Sequence, residues 1–236
     1  MVNVDTVYKT VLYILNKEQR GYITPDEFNT LANQVQLEIF EQYFEELNQQ
    51  IRVPENDSEY ANRVKNLEDK IQIFQILAAS SAYVAGPPAY FNLPVATPVH
   101  RIGTVIYNGT TEVQRVERNE YYLIQKSPLT TPTTSYPIYM FEEDRLYIHP
   151  TTIVTPADIE VSYIRVPTPP IWAYTTGLVG QYLYNAAGST QFELHPSEQI
   201  NIILNILMYS GVIIRDPSIV QTAAQMIQQD EALEKS

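Results

Sequence analysis

The side chains that could do chemistry fall into three sets. The first is Asn16–Glu27, NKEQRGYITPDE, which lies between two helical patterns and has the length of a calcium-binding EF-hand loop. Gly21, Ile23 and Glu27 stand where that loop needs its tight turn, its apolar residue and its final carboxylate. However, Asn16 replaces the leading Asp, and Arg20 puts a cation where an oxygen ligand belongs. Thr24-Pro25-Asp26-Glu27 is also a helix start, with Thr24 as cap, Pro25 in the first helical position and Glu27 closing a capping box. The stretch therefore reads as a helix–turn–helix, and a calcium-responsive helical pair is the competing reading that a titration would test.

The second set is His100, His149 and His195, far apart in sequence with no metal-ligand spacing. The third is Glu142-Glu143-Asp144. Adjacent residues at a hairpin turn point apart into solvent, so these acids read as an acidic turn, not a catalytic pair. G-x-S-x-G, H-E-x-x-H and a phosphate-cradling glycine loop are all missing, and the chain has 8 Gly in 236 residues. The expectation is a chain that is not an enzyme, with no catalytic residue, cofactor site or metal site.

Composition narrows the rest. Apolar residues make up 44 %, enough for a core. The net charge is -12 with no basic segment, which argues against binding by phosphate neutralisation. Cysteine is absent, so disulfides and thiolate metal sites are excluded. The N-terminus lacks the basic region of a signal peptide, and the apolar run Ile200–Ile214 is too short to span a bilayer. The 18 Tyr and 16 Pro are many for this length, and Tyr is favoured at interfaces.

The positioning elements follow from periodicity. Val4–Lys17 and Pro25–Gln49 read as helices. The second has one apolar stripe through Phe28, Val35 and Ile39 and another through Leu37, Phe40 and Phe44, with Glu38, Glu41 and Glu45 on the remaining side. Two stripes are more than one neighbour covers, so either the helix sits between two layers of its own chain or its second stripe is an interface with another subunit. Ser58–Asp69 is a third helix, and Ile71–Leu77 leans to strand. Tyr90–Leu93, Ile102–Tyr107 and Thr111–Val116 read as strands, with Asn108-Gly109 a hairpin turn. Glu117–Gln125 is a short helix, and SPLTTPTTSYP a loop. Ile138–Phe141, Leu146–His149 and Ile159–Val166 complete the strands, with Ile138, Met140, Leu146, Ile148, Ile159 and Val161 expected inside and Tyr139, Phe141 and Tyr147 outside. Tyr182–Asn185 and Gln191–Leu194 are expected to pair about Gly188. Ser197 caps a helix to Ile214, and Asp216-Pro217 a last one to Glu231.

The expected fold class is α+β: an N-terminal helical hairpin and C-terminal helices packed with a central, mainly antiparallel β sandwich or barrel-like domain. The expected division is N-terminal helices over 1–70, a β-rich domain over 71–194, and C-terminal helices with a docking tail over 195–236.

Four segments carry a family resemblance: Asn16–Asn29, Tyr136–Thr152, Val161–Tyr174 and Phe192–Pro217, in that order across most of the chain. Together they resemble the ring, or head-to-tail connector, proteins of crAss-like bacteriophages. The resemblance implies a virion structural protein at the neck, a dodecameric ring that joins portal to the next ring or tail protein and extends the DNA channel without gripping DNA. It implies no membrane and no catalytic residues. The candidate interface residues are then Leu37, Phe40, Phe44, Tyr139, Phe141, Tyr147 and Trp172, and the candidate channel- or neighbour-facing acids are Glu38, Glu41 and Glu45. A tail-associated module that holds a receptor or glycan on Trp172 and clustered Tyr is the alternative.

Overall fold

The computed structural model describes residues 1–17, 22–52, 58–80, 82–93, 98–214, 225–226 and 228–229. Its elements begin with helices α1 (Val4–Lys17), α2 (Pro25–Arg52) and α3 (Ser58–Gln72). Strands β1 (Gln75–Ala79), β2 (Ala82–Val84), β3 (Tyr90–Asn92), β4 (Val99–Tyr107) and β5 (Thr111–Arg115) follow, then α4 (Arg118–Gln125). The chain continues as β6 (Ile138–Glu142), β7 (Arg145–His149), β8 (Ile159–Arg165), β9 (Tyr174–Thr176), β10 (Tyr182–Tyr184) and α5 (Gln199–Ile214). The molecule is α+β, with helices before and after a large curled sheet in the order of the chain. The linker at 54–57, loop residues 18–21 and most of the expected last helix and docking tail lie outside the described residues. Within that tail, 225–226 and 228–229 are helical.

The chain forms two compact units, Phe74–Val166 and Met1–Ile73 with Pro167–Ser236. The expected β-rich domain over 71–194 is therefore too long at its C-terminal end. Residues 167–194 belong with the helices.

The first unit is an eight-stranded mixed sheet in the order β1-β8-β4-β5-β6-β7-β3-β2, curled into a half-barrel. Among the described strand pairs only β5–β6 is parallel. β4 slips register against β8 between Val99 and Arg101 and again between Ile102 and Val105. Such bulges bend a strand and sharpen the local twist, which lets the sheet curl. Gly103 sits at the second slip, where a Cβ would lie 3.2 Å from the Ser162 carbonyl oxygen. Asn108 and Gly109 both have positive φ at the β4–β5 turn, as their types predict. Phe91, Val105, Leu146, Ile148, Ile159 and Val161 build the core.

Strand faces correct the sequence reading. Glu143 and Asp144 both take positive φ, so the β6–β7 turn has two residues and Glu142 pairs with Arg145. Tyr139 then pairs with Ile148, Phe141 with Leu146, and Met140 with Tyr147. Directly opposed residues share a face. Tyr139 and Phe141 thus join the core of the sheet, while Ile138, Met140 and Tyr147 lie on its other face, where Ile138 and Met140 are buried as expected and Tyr147 is buried too.

In the second unit, α2 packs against α3 and α5, and α1 against α5. Val7, Val11 and Leu15 on α1, Phe28, Val35, Ile39 and Phe40 on α2, and Ile202 and Ile206 on α5 are buried, as 3.6-residue periodicity requires. Thr24 and Glu27 form the expected capping box: the Thr24 N–H donates to Glu27 Oε2 at 2.8 Å, and the Glu27 N–H to Thr24 Oγ1 at 3.3 Å.

Three local expectations are corrected. The apolar run at Ile71 stays helical to Gln72, and β1 starts only at Gln75. β10 pairs with β9, not with 191–194; Phe192 bridges to Val2 instead. α5 begins at Gln199 after a 3₁₀ turn over Pro196–Glu198, whose cap is the His195 side chain accepting from the Ser197 N–H.

Candidate functional site

The residues with chemical potential do not converge. Glu27 spends its carboxylate on Thr24, accepting from both its N–H and its hydroxyl at 2.8 Å, which holds its pKa below the usual range. His195 caps a turn. His149 is half-buried, its ring stacked on Tyr121 with centroids 4.5 Å apart, and burial pushes its pKa down. Glu142 pairs with Arg118, while Glu143 reaches Arg145 at 3.2 Å. Among the described residues, no group of three or more His, Asp or Glu is placed to hold a metal ion.

The expected interface residues are mostly inside. Phe40, Phe44, Tyr139, Tyr147 and Trp172 are all buried, and Leu37 and Phe141 are half-buried. The reason differs at each site. α2 has helices on two sides, so its second stripe is also covered, and the Phe40 and Phe44 rings meet edge to face at 5.0 Å. Tyr139 and Phe141 face the sheet core because the two-residue turn fixes the register.

Trp172 is the hub of an aromatic cluster. Its ring lies 4.3 Å from Tyr8 and 5.7 Å from Tyr184, and its indole N–H donates to Asp5 at 3.1 Å. Asn29 on α2 accepts from the Trp172 backbone N–H at 2.8 Å and donates to its carbonyl at 3.3 Å. Two helical turns on, fully buried Gln36 donates to the Thr168 carbonyl at 2.8 Å and accepts from the Glu193 N–H at 3.0 Å. These two side-chain amides bind 167–194 to the helices.

The acids lie where periodicity puts them. Glu38, Glu41 and Glu45 line one side of α2 together with Glu46, along a shallow groove of about 510 Å³. Glu41 and Glu45 are exposed. Glu38 is half-buried and accepts from the Tyr209 hydroxyl at 2.7 Å, which holds that hydroxyl's pKa up to about 12.

Two surfaces were not found by sequence reasoning. The first is the tip of the β9–β10 hairpin. Leu178 and Val179 are wholly or almost wholly exposed, at 107 % and 90 %, and Leu183 on β10 is about half-exposed. An apolar pair between Gly177 and Gly180 was the available signal. The second is a pocket of about 480 Å³ in the sheet unit, between the Pro87-Pro88 turn and α4. Tyr83, Tyr122, Met140 and Tyr147 line it, with Arg118 and His149 at its polar side. Only the correct strand parity brings Met140 and Tyr147 together there.

No protein-family model matches this chain, and no curated protein does. No helix among the described residues is long and apolar enough to cross a membrane.

Proposed function

We propose that this chain is a virion structural protein, the subunit of a ring at the phage neck that joins portal to tail and extends the DNA channel. The observation that carries this reading is the hairpin tip. Leu178 and Val179 present two large apolar side chains to water at the end of a sheet that has two strands among the described residues. Two large apolar side chains held side by side in water suit a contact with another protein. A ring subunit needs such surface on its flanks, because each copy meets its neighbour through two different patches. The resemblance of four segments to ring proteins of crAss-like phages gives the assembly. The exposed acids Glu41 and Glu45 suit a channel that repels phosphate, or a basic neighbouring ring.

A tail-associated module binding a receptor or glycan loses one support. Trp172, the side chain offered for stacking on a sugar, is buried among Tyr8, Tyr174 and Tyr184.

Electron microscopy of the purified chain, alone and mixed with the portal protein, tests the proposal. Closed rings, or rings seated on portal, are expected. A chain that stays monomeric at every concentration and ignores portal would overturn it.

A further inference from the structure

The hairpin tip and the aromatic pocket are complementary in chemistry. The chain carries a net charge of -12, so copies repel unless their contacts keep carboxylates apart. The hairpin does this on one side: Tyr174–Tyr184, YTTGLVGQYLY, contains no charged residue. The pocket does it on the other: none of its lining residues is an acid, its ionisable side chains are Arg118, His149 and tyrosines, and the Glu142 carboxylate next to it is neutralised by Arg118.

Shape agrees with charge. The tip is a tight turn, closed by the Gly180 N–H donating to the Gly177 carbonyl at 3.0 Å, and it holds Leu178 and Val179 out as a blunt apolar knob. The side chain of Gln181 braces it, accepting from the Val179 N–H at 3.2 Å. At about 480 Å³ the pocket admits two aliphatic side chains between Pro88 and Tyr122, both exposed, over a floor of Met140 and Tyr147. Its aromatic walls make a dry contact for Leu and Val, and insertion strands no charge.

We propose that the Leu178–Val179 tip of one copy seats in the Tyr122–Tyr147 pocket of the next. The inference rests on the ring reading and names the side contact. Knob and pocket are different patches of one chain, so the contact is head-to-tail, the kind that closes a ring or continues as a filament.

The chain has no cysteine, which makes cross-linking clean. Leu178→Cys and Tyr122→Cys are prepared separately, mixed, and treated with a short bismaleimide. Both positions are exposed, and circular dichroism checks that each variant is folded. The expected product is a covalent two-copy species that needs both variants. In parallel, Leu178→Asp and Tyr122→Glu should each weaken self-association about tenfold by sedimentation, with a double-variant loss well short of the product of the two. Rings without the mixed cross-link would overturn this contact and leave the ring reading standing. A mixed cross-link without rings would keep the contact and sink the ring. Dominant linking of Leu178→Cys to itself, or of Tyr122→Cys only to added portal or tail protein, would overturn it in favour of a two-fold contact or another occupant. No association of any kind would sink both.

Discussion

The side-chain amide of Asn29 clasps the backbone of Trp172, accepting from its N–H and donating to its carbonyl across 143 positions of sequence. Gln36 repeats the device on Thr168 and Glu193. The spacing of seven residues puts both amides on one face of α2, so a single helix holds an otherwise irregular segment. Removing Asn29 with Asn29→Ala leaves the Trp172 N–H and carbonyl without these partners. The expected loss is about 1–3 kcal/mol, a fall in Tm of about 2–4 °C per kcal/mol. Gln36→Leu should cost at least as much, because Gln36 is fully buried. Thermal denaturation measures both, and a red-shifted Trp172 emission should accompany only the first. A Tm unchanged by either variant would count against the clasps.

Lys70 and Glu198 form a largely enclosed ion pair, 2.7 Å apart, with side-chain exposures of 17 % and 4 %. Asn201 adds a hydrogen bond to the same carboxylate at 2.9 Å. Lys70→Met removes the pair's cation and leaves the carboxylate buried, an expected loss of about 3–5 kcal/mol. Adding Glu198→Gln to that variant should restore part of the stability, since no buried charge remains. Urea unfolding of the single and double variants checks this, and a double variant weaker than the single would refute it.

His149 gives the sheet unit a pH dependence of known sign. Burial depresses its folded pKa below the unfolded value of about 6.5. Below 6.5 the unfolded chain takes up the proton before the folded one does. Stability therefore falls as pH drops from about 6.5 towards the depressed folded value, and no further penalty accrues beneath it. His149→Phe keeps a ring against Tyr121 and should flatten this part of the stability profile. Urea midpoints at pH 7.5 and 5.5, compared between the two proteins, provide the test. Equal slopes would show that His149 does not titrate with folding.

Leu178 and Val179 touch water, so Leu178→Asp with Val179→Asp should change monomer stability by no more than about 0.5 kcal/mol each. The same pair should abolish ring formation if the tip of one copy seats in the pocket of the next. Charge reversal at Glu41 and Glu45, both exposed, should alter ring stacking or DNA retention without unfolding the chain. Glu38 is left out of that set, because its carboxylate holds the Tyr209 hydroxyl. Electron microscopy and a DNA-release assay on assembled particles read the outcome.

What the sequence determined by itself is what depends on neighbours a few residues away. Thr24–Glu27 capped its helix as read, the periodic faces of α1 and α2 turned inward, and Asn108-Gly109 made its turn. The cap and the turn are settled by backbone preference and by hydrogen bonds spanning one turn, and the helix faces by the 3.6-residue spacing of apolar side chains. The α+β class follows from the same signals. The two-residue turn at Glu143-Asp144 was legible too, and counting outward from it would have put Tyr139 and Phe141 in the core.

Tertiary structure alone decided the rest. Whether 167–194 joins the sheet or the helices rests on Asn29 and Gln36 reaching peptides well over a hundred residues away, and no local pattern marks which Asn or Gln will do so. Burial of Phe40, Phe44 and Trp172 was decided by how many helices and rings surround them, a property of packing that composition does not carry. The aromatic pocket exists only because α4 and the Pro87-Pro88 turn converge over Met140 and Tyr147, three stretches brought together by the curl of one sheet.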